Sequence, residues 1–74
     1  MDGLVYVADC GNHRIMKWTI GDTQGSLVAG SMSGVAGSTD QLLNSPADLA
    51  LDPSETYLYV ADSGNGRIQR FRLQ

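Results

Sequence analysis

Tyr57-Leu58-Tyr59-Val60-Ala61-Asp62-Ser63-Gly64-Asn65-Gly66-Arg67-Ile68-Gln69-Arg70-Phe71 decides how this chain folds, because Leu4 to Trp18 is an earlier copy of the same pattern. Tyr6, Val7, Ala8, Asp9, Gly11, Asn12, Arg14 and Ile15 align without a gap with Tyr59, Val60, Ala61, Asp62, Gly64, Asn65, Arg67 and Ile68, at a constant offset of 53 residues. Eight identities in fifteen positions, with the mild exchanges Cys10/Ser63, Lys17/Arg70 and Trp18/Phe71, mark an internal repeat rather than a chance match. A repeat of roughly this period points to a solenoid, a propeller or an array.

Each copy reads as a β-hairpin. Two runs rich in Val, Leu, Ile, Tyr and Phe or Trp flank a short loop, Cys10-Gly11-Asn12-His13 in one copy and Ser63-Gly64-Asn65-Gly66 in the other. Gly and Asn tolerate the positive φ that such loops require. The Asp ahead of each loop, Asp9 or Asp62, is expected to accept hydrogen bonds from loop amides, as Asx-type turns do. Arg14 and Arg67 open the second strands and are placed to pair with that Asp or with a neighbouring sheet. These residues, with Asn12, Asn65, Ile15 and Ile68, therefore read as a structural motif first.

Outward from the copies, the chain is all-β. Leu4 to Asp9 and Arg14 to Ile20 form the first hairpin, and apolar residues on both faces suit a sheet covered above and below. Gly21 to Gly25 is a turn, and Ser26 to Ala29 is a third strand ending at Gly30. Residues 31–46 are small and polar, with an apolar anchor at Leu42 and Leu43, and form a long connector. A single helical turn around Asp40 to Asn44 is the only helix conceivable. Ala47 to Asp52 alternates as a strand, Asp52-Pro53-Ser54-Glu55 is a β-turn with Pro at its second position, and the second hairpin follows. The organisation is thus a partial unit at 1–30, a connector at 31–46 and a second partial unit at 47–74.

Composition narrows the classes. A chain of 74 residues is at most one small domain, and one of this size buries only about 60% of the surface exposed when unfolded. An apolar fraction of 42% argues for order rather than a disordered tail. The net charge of −3 offers no general attraction to nucleic acid or anionic lipid. Arg67, Arg70 and Arg72 are expected to form the wet margin of a strand. The lone Cys10 makes no intramolecular bridge, and Ser63 at the equivalent place shows no demand for thiol chemistry. Met1-Asp2-Gly3 leads into a strand without a basic region or cleavage pattern, and no run of 18 apolar residues occurs.

Asn44-x-Pro46-x-x-Leu49-Ala50-Leu51-Asp52, followed by Leu58-Tyr59-Val60-Ala61-Asp62-x-Gly64-Asn65-x-Arg67-Ile68, resembles the NHL repeat, a β-propeller blade. Gly66 departs from the family's usual His, which His13 keeps, and the connector is somewhat long. The resemblance implies an antiparallel propeller fragment with strands B, C and D of one four-stranded blade, then A, B and C of the next. Propellers close with four to eight such blades, so six strands are too few for a ring, and the remaining blades of a parent propeller are an expected partner. The strand edges at the two ends are not complementary, and the isolated chain is expected to expose apolar faces and self-associate.

Catalytic patterns fail on their own chemistry. Gly30-Ser31-Met32-Ser33-Gly34 has Met at the centre of what would be a nucleophile elbow, and no glycine run carries the Lys-Ser/Thr of a phosphate loop. The Asp62 loop has Gly where calcium needs an oxygen, and His13 with Cys10 is short of a zinc set. Asp9 and Asp62 recur in register, whereas catalytic acids are rarely duplicated. His13 reads as a solvated loop tip. No cofactor is expected. Alternating turns place both hairpin loops on the same end as the connector, and loops on a rigid scaffold are where recognition occurs. The candidate contact residues are Asn12, His13, Asp40, Asn44, Ser63 and Asn65. The expected function is a non-enzymatic scaffold presenting loops to a protein, peptide or glycan, with no nucleic-acid or membrane partner. The resemblance also implies rivals: a metal-dependent propeller enzyme, amidating-lyase-like or lactonase-like, and an RNA-binding module.

Overall fold

The computed structural model describes residues 3–73. Met1 and Asp2, expected to lead into the first strand, and Gln74, expected to end the second unit, lie outside the described residues. Six strands follow in order: β1 (Leu4–Asp9), β2 (Arg14–Thr19), β3 (Ser26–Gly30), β4 (Pro46–Leu51), β5 (Tyr57–Asp62) and β6 (Arg67–Arg72). They form two separate antiparallel meanders, β1-β2-β3 and β4-β5-β6. The split into three strands before and three after the connector is the one read from the sequence, with β4 starting one residue early, at Pro46.

The two hairpins share one register. Asp9 faces Arg14 as Asp62 faces Arg67, and Tyr6 faces Lys17 as Tyr59 faces Arg70. Each loop is one 3₁₀ turn, Cys10–Asn12 or Ser63–Asn65, closed by a residue in the left-handed region: His13 at φ 55° and Gly66 at φ 62°. The β-turn after β4 forms as expected, Glu55 N–H donating to Asp52 C=O at 2.9 Å. The Asp52 carboxylate accepts from Tyr57 N–H at 2.8 Å and from the Ser54 hydroxyl at 2.7 Å. Those bonds, Tyr57 first, hold its carboxyl below the usual range.

No helical turn forms at Asp40 to Asn44; the segment is a series of bends. The groups that would close a turn are taken elsewhere, Asp40 C=O by Gln69 and Asn44 N–H by the Asp62 carboxylate. Asn65 takes Gly37 C=O, Arg67 takes those of Ser38, Thr39 and Leu42, and Gln69 takes that of Asp40, at 2.8–3.1 Å. A charge-assisted bond to a guanidinium outweighs a lone turn's neutral ones.

The core lies between the meanders. Ile15 and Ala29 from the first and Leu58 and Val60 from the second join Leu43 of the connector in one buried cluster. Tyr6, Ala8, Val28, Leu49, Leu51, Phe71 and Leu73 pack around it. Burying each large aliphatic side chain stabilises the fold by about 1.5–3 kcal/mol. Strand alternation puts Tyr6, Ala8 and Ile15 on the inner face of the first meander, and Leu58, Val60 and Asp62 on that of the second. The outer faces are only partly covered, contrary to the expectation of sheets covered above and below; Met16, opposite Val7, is buried, but its neighbours are not. Val5 is 43% and Val7 39% exposed on one, Tyr59 38% and Ile68 68% on the other. Two meanders supply each other with only one neighbour.

Candidate functional site at the loop end

Asp62 organises the loop end. Alternation turns it inward, and its side chain is fully buried. One carboxylate oxygen accepts from Asn44 N–H at 2.7 Å; the other accepts from Asn65 Nδ2 at 2.9 Å and Arg67 Nε at 2.7 Å. Burial alone would raise its pKa, but these three donors outweigh burial and hold it below the usual carboxylate range. The remaining Arg67 nitrogens reach the connector carbonyls already named. The connector is therefore strapped to the second hairpin by side chains gripping its main chain.

Asp9 makes a reduced version of this arrangement. It accepts from Asn12 Nδ2 at 3.1 Å and Arg14 Nε at 2.9 Å, and these bonds, Asn12 first, lower its pKa. Its side chain is 29% exposed, and Arg14 reaches a single carbonyl, that of Met32, at 3.1 Å. Neither Asp caps its own loop as the Asx-turn reading expects; no side-chain cap bond forms in either 3₁₀ turn. The Arg at the register partner and the Asn three residues on claim the carboxylate first, since a charged donor makes the stronger bond.

His13 is not a solvated tip. It is half-buried, and its Nδ1 accepts from Ser45 N–H at 3.0 Å, tying the first hairpin loop to the approach to β4. That bond requires an unprotonated Nδ1. Ser45 itself stands at φ 51°, so both partners occupy the left-handed region. Gly64 N–H donates to Asn44 C=O at 2.7 Å. A Cβ at Gly64 would come within 2.5 Å of Asn44 Oδ1, so glycine is required there; the equivalent Gly11 meets nothing within 4 Å.

The sequence-derived contact residues thus divide. His13, Asn44 and Asn65 are half-buried and bonded within the chain. Asn12, Asp40 and Ser63 are exposed, Asn12 while donating to Asp9. Arg67 likewise leaves the wet margin assigned to it and turns inward, while Arg70 stacks over the Tyr57 ring at 4.4 Å on the outer face. Ser45 and Gln69 were missed as fixing residues. Only their place in three dimensions reveals them, since neither belongs to the repeated core. Among the described residues no group of three or more His, Cys, Asp or Glu side chains gathers as a metal site.

No curated protein matches the chain. The family model described as NHL repeat matches residues 2–18 and 43–71, more than half of the sequence and both copies of the hairpin. Two three-stranded antiparallel meanders stacked face to face are what parts of two neighbouring blades would form. The chain belongs to the NHL-repeat family.

Proposed function

We propose that the chain is part of a non-enzymatic propeller scaffold whose loop end binds a protein, peptide or glycan. One observation carries this reading. The ionic groups of the repeated motif, Asp9 with Arg14 and Asp62 with Arg67, are engaged in holding the loops. The exposed polar side chains Asn12, Asp40 and Ser63 are what that rigid frame presents outward. The test is selection of random peptides and a glycan array against the chain, with a variant carrying Asn12→Ala, Asp40→Ala and Ser63→Ala as the counter-screen. Ligands that bind the parent and not the variant support the reading. Ligands indifferent to the triple substitution would remove binding from this end, and stoichiometric zinc or calcium in the purified protein would favour an enzyme.

A further inference from the structure

The outer faces are each equivalent, by the 53-residue repeat, to a face that is buried elsewhere in the same molecule. On the first meander Val5 and Val7 are exposed; their counterparts Leu58 and Val60 are fully buried against it. On the second meander Ile68 is exposed, while its counterpart Ile15 is fully buried. Tyr59, 38% exposed, stands in the same way to Tyr6, which packs on the core. Around Tyr59, Ala61 and Ile68 lies an open, mainly apolar hollow of about 160 Å³, lined also by Asp48, Leu49 and Ala50.

We propose that these two faces dock onto each other between copies of this chain, head to tail. The outer face of one copy's second meander would take the first meander of the next, repeating the packing inside each chain. The proposal goes beyond the scaffold reading and does not use the loop end. Strand edges still do not match across the contact, as the sequence implies; the faces do. A contact between two different surfaces is heterologous and repeats until it closes. Since propellers close with about four to eight blades and each chain brings two meanders, two to four copies complete a ring. The contact is weaker than its internal counterpart. Gly66 offers no imidazole where His13 bonds Ser45, and no connector segment from this chain covers Asp9 as residues 37–44 cover Asp62.

Charge placed on either face separates this arrangement from any self-matching one. Ile68→Glu blocks one face and Val7→Glu the other, and both positions are already exposed in the single chain, so the fold should survive, as far-ultraviolet circular dichroism would verify. Tyr59→Glu and Val5→Glu are the replacements should either variant unfold. By light scattering after size exclusion, the parent is expected at a multiple of the chain mass, each variant at one chain, and an equimolar mixture at two. The mixture retains one intact contact and two blocked ends, so growth stops at the pair. A parent that stays single at about 1 mM overturns the proposal. So do folded variants that associate like the parent, or a mixture that stays at one chain.

Discussion

Asp9 and Asp62 share a sequence context, a register and an Arg partner, yet one is partly wet and the other sealed. The cause is their surroundings. Asp62 faces the first meander and the connector; Asp9 faces outward. Everything else about the two copies follows this split: Ile15 is buried where Ile68 is not, and Gly64 is crowded where Gly11 is open. In a repeat protein a residue's energetic weight comes from its interface more than from its motif.

The comparison can be broken most sharply at the acids. Asp62→Ala leaves the Asn44 N–H and Arg67 without their carboxylate, and is expected to cost roughly 3–5 kcal/mol. Asp9→Ala removes a partly exposed pair worth about 1 kcal/mol or less. Urea unfolding followed by circular dichroism reads both, and equal losses would end the argument. Next in size is the isoleucine pair. Ile15→Ala is expected to destabilise by about 2–5 kcal/mol, against about 0.5 kcal/mol or less for Ile68→Ala in the single chain.

Acid titration sharpens the same contrast. Both carboxyls have folded pKa values below their unfolded value of about 3.9. The stability they contribute is therefore full above that value and lost as the pH falls through the lower, folded one. Asp62→Asn should flatten the decline of unfolding free energy below about pH 4; Asp9→Asn should flatten it less. Denaturant midpoints at successive pH values measure the slopes, and a larger change for Asp9→Asn would contradict the burial argument. Smaller than the losses at Asp62 and Ile15 are those at the left-handed loop positions. His13→Ala gives up the Ser45 hydrogen bond, about 1 kcal/mol. Gly66→His gains no such partner within this chain and costs about 1–2 kcal/mol for a side chain at φ 62°. Thermal melts distinguish this from a Gly66→His variant that stabilises.

The strands were legible because they obey local rules. Alternating aliphatic and aromatic residues, bounded by Gly, Asn and Pro, place all six within a residue or two, and the duplicated core names the family. The connector was not legible in the same way. Its path depends on Asn65, Arg67 and Gln69, 25–29 residues further along wherever they bond it, and no local pattern around Asp40 announces that its carbonyls are already claimed. His13 was misread for a related reason. A polar residue at a hairpin tip faces water in an isolated hairpin, and its bond to Ser45 exists only once the second meander is in place. The two acids accept from side chains, the Asn of the adjacent loop and the Arg that follows it, and Asp62 also from the connector, rather than from the loop's main-chain amides.

The strap across the loop end is held at five successive or near-successive peptide oxygens, from Gly37 to Leu42, by Asn65, Arg67 and Gln69. Ser38, Thr39, Asp40 and Gln41 are exposed, and the Thr39 hydroxyl accepts from Gln41 N–H at 3.4 Å. Such a segment can exchange residues generation after generation while keeping its course, so new specificities can be tried on this surface without re-engineering the frame beneath it.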